Sequence, residues 1–253
     1  MSTTERAVPA GSPAAFRNEP YTDFSVPENR RAMEQALAKV RAELGREYDL
    51  VIGGEPVRTE QKLESRNPSR PAEVVGIHQK ATKELAARAI EGAYAFFPEW
   101  SRTPARERIG ILLRAAAILR ERKLEFDAWL VYEAGKTWPE AEADVSEAID
   151  FCEYYARQMT RFADTQPAEV QLPGEQDEIV YVPLGVGVVI PPWNFPLAIL
   201  VGMTTAALVT GNAVVLKPSS DTPTIAAKFA EVVRAAGFPA RSFSLLIGPG
   251  GEV

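Results

Sequence analysis

Apolar positions along the 253-residue chain follow two patterns. Up to about residue 165 they recur mostly at helical spacing; beyond residue 184 they come as short continuous runs alternating with helical stretches. In the first part, Met33, Ala36, Leu37, Val40 and Leu44 predict a helix over 28–44, with Gly45 placed to end it. Residues 48–80 read as short strands and turns around Gly53-Gly54. Three helices are expected next. Thr82 opens one carrying Leu85, Ala89, Ile90 and Ala93. Thr103-Pro104 opens a longer one carrying Ile109, Leu112, Leu113, Ala116 and Leu119. Past the break at 135–139, Ala141, Val145, Ala148, Ile149, Cys152, Tyr155 and Met159 mark a third, running to about residue 162.

The second part changes period. Residues 185–190 (GVGVVI) form an unbroken β-rich run, as for a strand buried on both faces. A helix follows over 196–210, with Leu197, Leu200, Val201, Thr204 and Leu208 on its apolar side. AVVLK (213–217) is a second buried strand, and Thr222-Pro223 starts a helix that Gly237 and Pro239 stop. SFSLLI (242–247) is a third strand. Strand, helix, strand, helix, strand within some sixty residues is a βαβαβ unit with parallel strands and right-handed crossovers. The predicted class is α/β: an incomplete Rossmann-like parallel sheet with helices packed on it. Ahead of it, the polar stretch 164–178 with Pro167, Pro173 and Gly174 suits a turn between two strands, and Pro183 confines EIVYVP to an edge. Residues 1–27, punctuated by Pro9, Pro13, Pro20 and Pro27, read as an extended arm.

Composition narrows the function classes. Apolar residues make up 46% and charged residues 25%, ordinary for a folded domain. The net charge of −6 and the lack of a basic stripe argue against nucleic acid. Arg106, Arg108 and Arg114, interleaved with Glu107, read as a solvated helix face. No apolar run is long enough for a membrane span, and the N-terminus lacks the apolar core of a secretory signal, so a cytoplasmic protein is expected. One cysteine and one histidine, His78, leave no internal disulfide, no cysteine-rich or histidine-based metal site and no Ser-His-Asp triad. Cys152 lies on an apolar helix stripe and reads as core.

In open parallel sheets ligands bind beyond the carboxyl ends of the strands. Three unusual segments fall there: PPWNFP (191–196), Lys217 to Asp221, and GPGGE (248–252), whose backbone N–H groups suit a phosphate. Singly each has a plainer reading. Asn194 can cap a turn, Lys217 can be a loop lysine, and a glycine-rich turn can be only a turn. Their convergence on one edge points to a ligand. The dinucleotide fingerprint G-x-G-x-x-G does not follow the first strand, so a standard Rossmann dehydrogenase is not indicated.

At these residues the chain resembles the aldehyde dehydrogenase superfamily: PWNFP, then GN-x-V-x-x-KPS with DTP, then GPG, with EAGK (133–136) and FCEYYA upstream. NEPYTDFS (18–25), PENR (27–30), YDLVIGGE (48–55) and RNPSRPAEVVG (66–76) are similar to its 1-pyrroline-5-carboxylate dehydrogenase branch. That branch oxidises L-glutamate γ-semialdehyde to glutamate with NAD or NADP.

The resemblance implies that Asn194 donates to the oxyanion and that Lys217 binds the adenosine ribose. It implies that Ile190, Pro191, Pro192, Trp193, Ser219, Ser220 and Gly250 belong to the cofactor site. Phe195 falls on the substrate side. Glu133 is either a partner for the substrate's ammonium group or a surface glutamate at a helix end. Residues 28–165 correspond to the first part of the cofactor domain, 166–183 to an oligomerisation hairpin, and 184–253 to the nucleotide-binding segment. A homo-oligomer is implied.

Two departures matter. Ser220 stands where the family commonly has a glutamate for the ribose 2′-hydroxyl, which weakens discrimination against NADP. The family's nucleophilic cysteine and general base fall beyond Val253, so the domain is expected to be incomplete, its third strand left without a neighbour, and these residues inactive alone. A related semialdehyde such as succinate semialdehyde, or a non-catalytic nucleotide-binding module, are the alternative readings.

Overall fold

The computed structural model describes residues 14–167 and 173–253; the first thirteen residues of the expected arm and residues 168–172 of the expected hairpin lie outside them. From residue 14 to 26 the chain carries no helix or strand and lies along later helices. Side chains clip it there: Asp150 accepts from Asn18 Nδ2 (2.7 Å) and the Glu19 backbone N–H (2.6 Å), and Glu142 accepts from the Thr22 N–H (2.7 Å).

Helix α1 (Pro27–Arg41) starts on a proline and buries Met33 and Val40. It ends three residues earlier than the apolar spacing predicts, because Ala42 to Gly45 wind into turns that lead to β1 (Arg46–Tyr48). Strands β2 (Leu50–Ile52) and β3 (Glu55–Val57) form a hairpin over Gly53-Gly54, both at positive φ, as a two-residue hairpin turn requires. Strands β4 (Lys62–Arg66) and β5 (Val74–Gln79) complete a small sheet of order β1-β5-β4.

Between residues 82 and 162 there are four helices, not three. Thr82 Oγ1 caps α2 (Lys83–Trp100) by accepting from the Leu85 N–H. The long second helix is two: α3 (Ala105–Glu121) and α4 (Lys123–Ala134) break at Arg122, which leaves helical geometry at φ −98°, ψ 15°. No proline or glycine marks this break, and apolar periodicity continues across it, so the pattern gave no sign of it. Gly135, in the left-handed region, ends α4. Helix α5 (Trp138–Phe162) opens with a capping box in which Glu140 accepts from the Thr137 N–H (3.0 Å).

Strand β6 (Gln166–Pro167) pairs antiparallel with β7 (Glu178–Ile179), and Val180, Tyr181 and Val182 beyond it are exposed. The βαβαβ unit follows: β8 (Val186–Val189), α6 (Ala198–Val209), β9 (Ala213–Leu216), α7 (Pro223–Ala236) and β10 (Phe243–Leu245). Strands β8, β9 and β10 are parallel, with Val189 opposite Leu216 and Leu216 opposite Leu245. Asn212 fixes the register, its Oδ1 accepting from the backbone N–H groups of Leu184 (2.7 Å) and Gly185 (2.9 Å).

The five-stranded sheet runs β3-β2-β10-β9-β8, which corrects two expectations. Strand β10 has an outer neighbour, because β2 from the N-terminal half pairs antiparallel with it, Val51 facing Leu245. Strand β8 is not buried on both faces. It is the last strand of the five, and Val188 is 50% exposed while Val189 is buried. Strand β9, flanked on both sides, is wholly buried.

Candidate cofactor and oxyanion site

The loops leaving β8, β9 and β10 meet at one edge of the sheet. The Lys217 backbone N–H donates to the Val189 carbonyl (2.8 Å), so the segments that start at Ile190 and Lys217 leave the sheet side by side. In the first, Pro191 is buried, while Ile190, Pro192, Trp193, Asn194 and Phe195 are exposed. The Asn194 amide has no hydrogen-bond partner among the described residues, so its donors face outward uncommitted. In the second, Lys217 is 9% exposed, and its ammonium reaches only the Pro218 carbonyl, at 3.3 Å. Burial without a carboxylate partner holds this ammonium below its usual pKa. Ser219 Oγ and Asp221 close a small turn of their own (3.3 Å), with Ser220 between them. In the third, Gly250 is exposed with open space where a Cβ would stand. A cleft of about 340 Å³ brings Trp193 together with Ser220, Asp221 and Thr222. Among the described residues no group of His, Cys, Asp and Glu could hold a metal, and no helix is long and apolar enough to cross a membrane.

What holds these loops was not read from the sequence. Each runs straight into a helix whose own first residues supply no cap: Leu197 and Thr222, at the N-cap positions of α6 and α7, make no capping hydrogen bond. The caps come from buried carboxylates on other helices. Glu133, in the last turn of α4, accepts from the backbone N–H groups of Thr224 (2.7 Å, Oε1) and Ile225 (2.7 Å, Oε2), and from Ser65 Oγ (2.6 Å). Asp144 on α5 accepts from the Ala198 N–H (2.7 Å). A negative charge at a helix N-terminus meets the positive end of the backbone dipole as well as its free donors.

This corrects the surface reading of Glu133: it is 2% exposed, and both of its oxygens already accept from the backbone of α7, at the wall of the cleft that holds Trp193 and Ser220. Burial still pushes its carboxyl upward against the pull of those donors. The arginine cluster is corrected as well. Arg106 and Arg114 are exposed, but Arg108 is buried, and its Nε donates to the Val209 carbonyl (2.9 Å) at the end of α6. Arg114 donates likewise to Ala236 (2.9 Å), at the end of α7.

Lys136 joins the α5 cap to the first loop. Its ammonium lies 3.2 Å from Asp144 Oδ2 and 4.4 Å from the centroid of the Phe195 ring. Cys152 is fully buried on α5, and burial drives its thiol well above the usual range. His78 is fully buried, within 2.9 Å of Thr224 Oγ1, and burial pushes its pKa down to about 3, so it is neutral.

A profile of the aldehyde dehydrogenase family matches residues 56–253. The chain belongs to that family. The aldehyde dehydrogenase chain is 58% identical over 238 residues to a 1-pyrroline-5-carboxylate dehydrogenase of Geobacillus thermodenitrificans, covering 94% of this chain and 46% of that one. It superposes on a 1-pyrroline-5-carboxylate dehydrogenase from Thermus with bound NAD at a TM-score of 0.91 and 50% identity, over 94% of this chain and 46% of the other. It also matches proline utilization A from Bdellovibrio bacteriovorus, at a TM-score of 0.91 and 38% identity, over 95% of this chain and 25% of that one. The chain thus spans a little under half the length of the curated relatives it matches.

Proposed function

We propose that this chain supplies the nicotinamide-cofactor and oxyanion side of an enzyme that oxidises L-glutamate γ-semialdehyde to glutamate in proline breakdown. The observation that carries the reading is Lys217: a buried cation at the sheet edge, without a carboxylate, at the start of a loop that leaves the sheet next to the loop carrying the exposed Trp193 and Asn194. Such a cation is satisfied by hydroxyl or phosphate oxygens of a ligand. Lys217, with Ser219 and Ser220, would hold the ribose of NAD or NADP, Ile190 to Trp193 would line the cofactor, and Gly250 leaves room for close approach. The bound nicotinamide supplies the hydride acceptor.

The remaining roles belong to this chain's own side chains. Asn194 offers an amide N–H to the oxygen that becomes negative as an aldehyde carbonyl is attacked, and loss of such a donor costs about 10²–10³ in kcat. Phe195, steadied by Lys136, forms the wall on the substrate side. Cys152 has no part in the chemistry, because a buried neutral thiol is neither nucleophilic nor accessible. These 253 residues alone are therefore expected to bind cofactor without turning over the semialdehyde.

The test is cofactor titration by fluorescence quenching of the four tryptophans. NAD and NADP should bind within about tenfold of each other, because no carboxylate stands at Ser220 to repel a 2′-phosphate. Lys217→Ala should weaken both by about tenfold or more. Ser220→Glu should weaken NADP selectively. An NAD preference above about a thousandfold, or cofactor binding indifferent to Lys217→Ala, would overturn the assignment.

A further inference from the structure

From residue 16 to residue 24 the N-terminal arm runs antiparallel down α5. Phe16 packs edge-on against Tyr154 (5.5 Å), the Glu19 N–H meets Asp150, the Thr22 N–H meets Glu142, and Phe24 packs edge-on against Trp138 (5.5 Å) at the start of the helix. Beneath this run lies a buried ion pair: Glu142 is 2% exposed, Lys123 of α4 is 9% exposed, and the two are in contact. Together they grip the arm's backbone on both sides of residue 21. Lys123 Nζ donates to the Pro20 carbonyl (2.8 Å), and Glu142 Oε1 accepts from the Thr22 N–H (2.7 Å).

Under the grip sits Asp127, one turn along α4 from Lys123 and against Glu142. Asp127 Oδ1 and Oδ2 and Glu142 Oε2 are buried, and none of them meets a donor among the described residues. Buried polar atoms are as a rule hydrogen-bonded, and one proton held between the two acids supplies the bond that is missing. Glu142 is the acid that stays ionised: against the push of burial, Lys123 and the Thr22 N–H hold its carboxyl below the usual range. Burial first, then Glu142 and Asp144, push Asp127 up to about 9, with Lys123 pulling the other way. The charges on the neighbouring elements are matched elsewhere. Asp144 has Lys136 (3.2 Å), Glu19 of the arm has Arg120 of α3 (2.8 Å), Glu125 has Lys39 of α1 (2.9 Å), and Glu231 of α7 has Lys228 (2.8 Å).

We propose that the proton shared by Asp127 and Glu142 is a latch on the N-terminal arm. While Asp127 holds it, Lys123 and Glu142 keep their grip on Pro20 and Thr22. When the proton leaves to solvent, the Asp127 carboxylate repels Glu142 and draws the Lys123 ammonium, four residues away on the same helix, off the Pro20 carbonyl. The arm then loosens at residues 20–22 while the helices beneath it keep their places. Asp127 binds its proton more tightly in the folded chain than in the unfolded one, so the latch is closed at neutral pH and opens as pH rises through the folded value.

The test is a fluorophore attached to Tyr21→Cys in the 253-residue chain. Tyr21 is 70% exposed between the two gripped residues, and Cys152, fully buried, takes no label. The label's steady-state anisotropy should stay level from about pH 6 to 8 and then fall with a midpoint near 9, while far-UV circular dichroism stays constant. Asp127→Asn, whose amide donates to Glu142 at every pH, should keep the high value throughout. Thr22→Pro removes the gripped N–H and alters only the arm, so it should show the low value throughout and mark the open state. Parent and Thr22→Pro decide the matter between them should Asp127→Asn fail to fold. A level parent profile between about pH 6 and 10, a fall shared by Asp127→Asn, or a fall that comes only with loss of circular dichroism each overturns the proposal.

Discussion

Helices α6 and α7 do the same work and are held in the same way, but with unequal strength. Each follows a strand of the parallel sheet, and each receives at its N-terminus one of the loops proposed to face the cofactor or substrate. Each has its N-terminal donors satisfied by a carboxylate from elsewhere and its C-terminal carbonyls by an arginine of α3. At α7 the carboxylate is Glu133, which takes two backbone N–H groups and a serine hydroxyl. At α6 it is Asp144, which takes one N–H and shares its other oxygen with Lys136. The Lys217 loop thus sits on the tighter anchor, while the Asn194 loop, the one proposed to stabilise developing charge, sits on the looser one. Oxyanion donors work by being preorganised, so under the role proposed for Asn194 the α6 anchor bears on rate, and the α7 anchor bears on folding.

Removing the anchors separates the two roles. Glu133→Ala leaves two backbone N–H groups and the Ser65 hydroxyl unpaired in a buried place, each costing about 1–3 kcal/mol. A loss of about 4 kcal/mol and a melting temperature lower by roughly 10 °C are expected, read by circular dichroism. Glu133→Gln keeps an acceptor and should recover most of the loss. Were Glu133→Ala to melt within 2 °C of the parent, the α7 anchor would not be structural. Asp144→Ala exposes one N–H and frees Lys136, a loss of about 2 kcal/mol. Its distinguishing sign is a changed emission of Trp193, two positions before Phe195 in the same loop, seen against a background with the other three tryptophans replaced. Glu133→Ala should not produce that change in the fraction still folded.

This division explains what the sequence disclosed. The βαβαβ order was legible because strand runs and helical spacing are local signals; the three loops were legible as the segments just past its strands, and the resemblance added roles for their residues. The anchors were hidden because they join residues about ninety positions apart for Glu133 and fifty-four for Asp144. One trace was present: α6 and α7 lack an acidic residue in their first turns, so their N-terminal donors needed a distant partner. Arg108 departs from the solvated face expected of it for a related reason, since alternation with Glu107 imitates such a face while Arg108 turns inward to α6. Burial of β8 was overestimated because a continuous apolar run marks a strand without saying whether it lies at the centre or the end of its sheet.

A third buried carboxylate sharpens the comparison, because it caps nothing. Asp127 shares α4 with Glu133 and is fully buried, yet neither of its oxygens meets a donor among the described residues. Burial first, and then the carboxylates of Glu142 and Asp144, push its pKa up to about 9, with Lys123 pulling the other way. Where Glu133 is supplied with N–H donors, Asp127 must carry its own proton. Between the ordinary carboxylate pKa and about 9 the folded state then binds a proton that the unfolded state has released. This contribution to stability is complete below the ordinary carboxylate range and is lost as pH rises toward the folded value. Asp127→Asn removes the titration and offers its amide to Glu142 Oε2, which has no partner. At pH 8 the variant should be more stable by about 1 kcal/mol, or roughly 2–4 °C. Its melting temperature should fall less between pH 5 and 9 than that of the parent. Parallel pH profiles for the two proteins would mean that Asp127 is ionised in the folded state, and that a buried acid on α4 does not need donors to keep its charge.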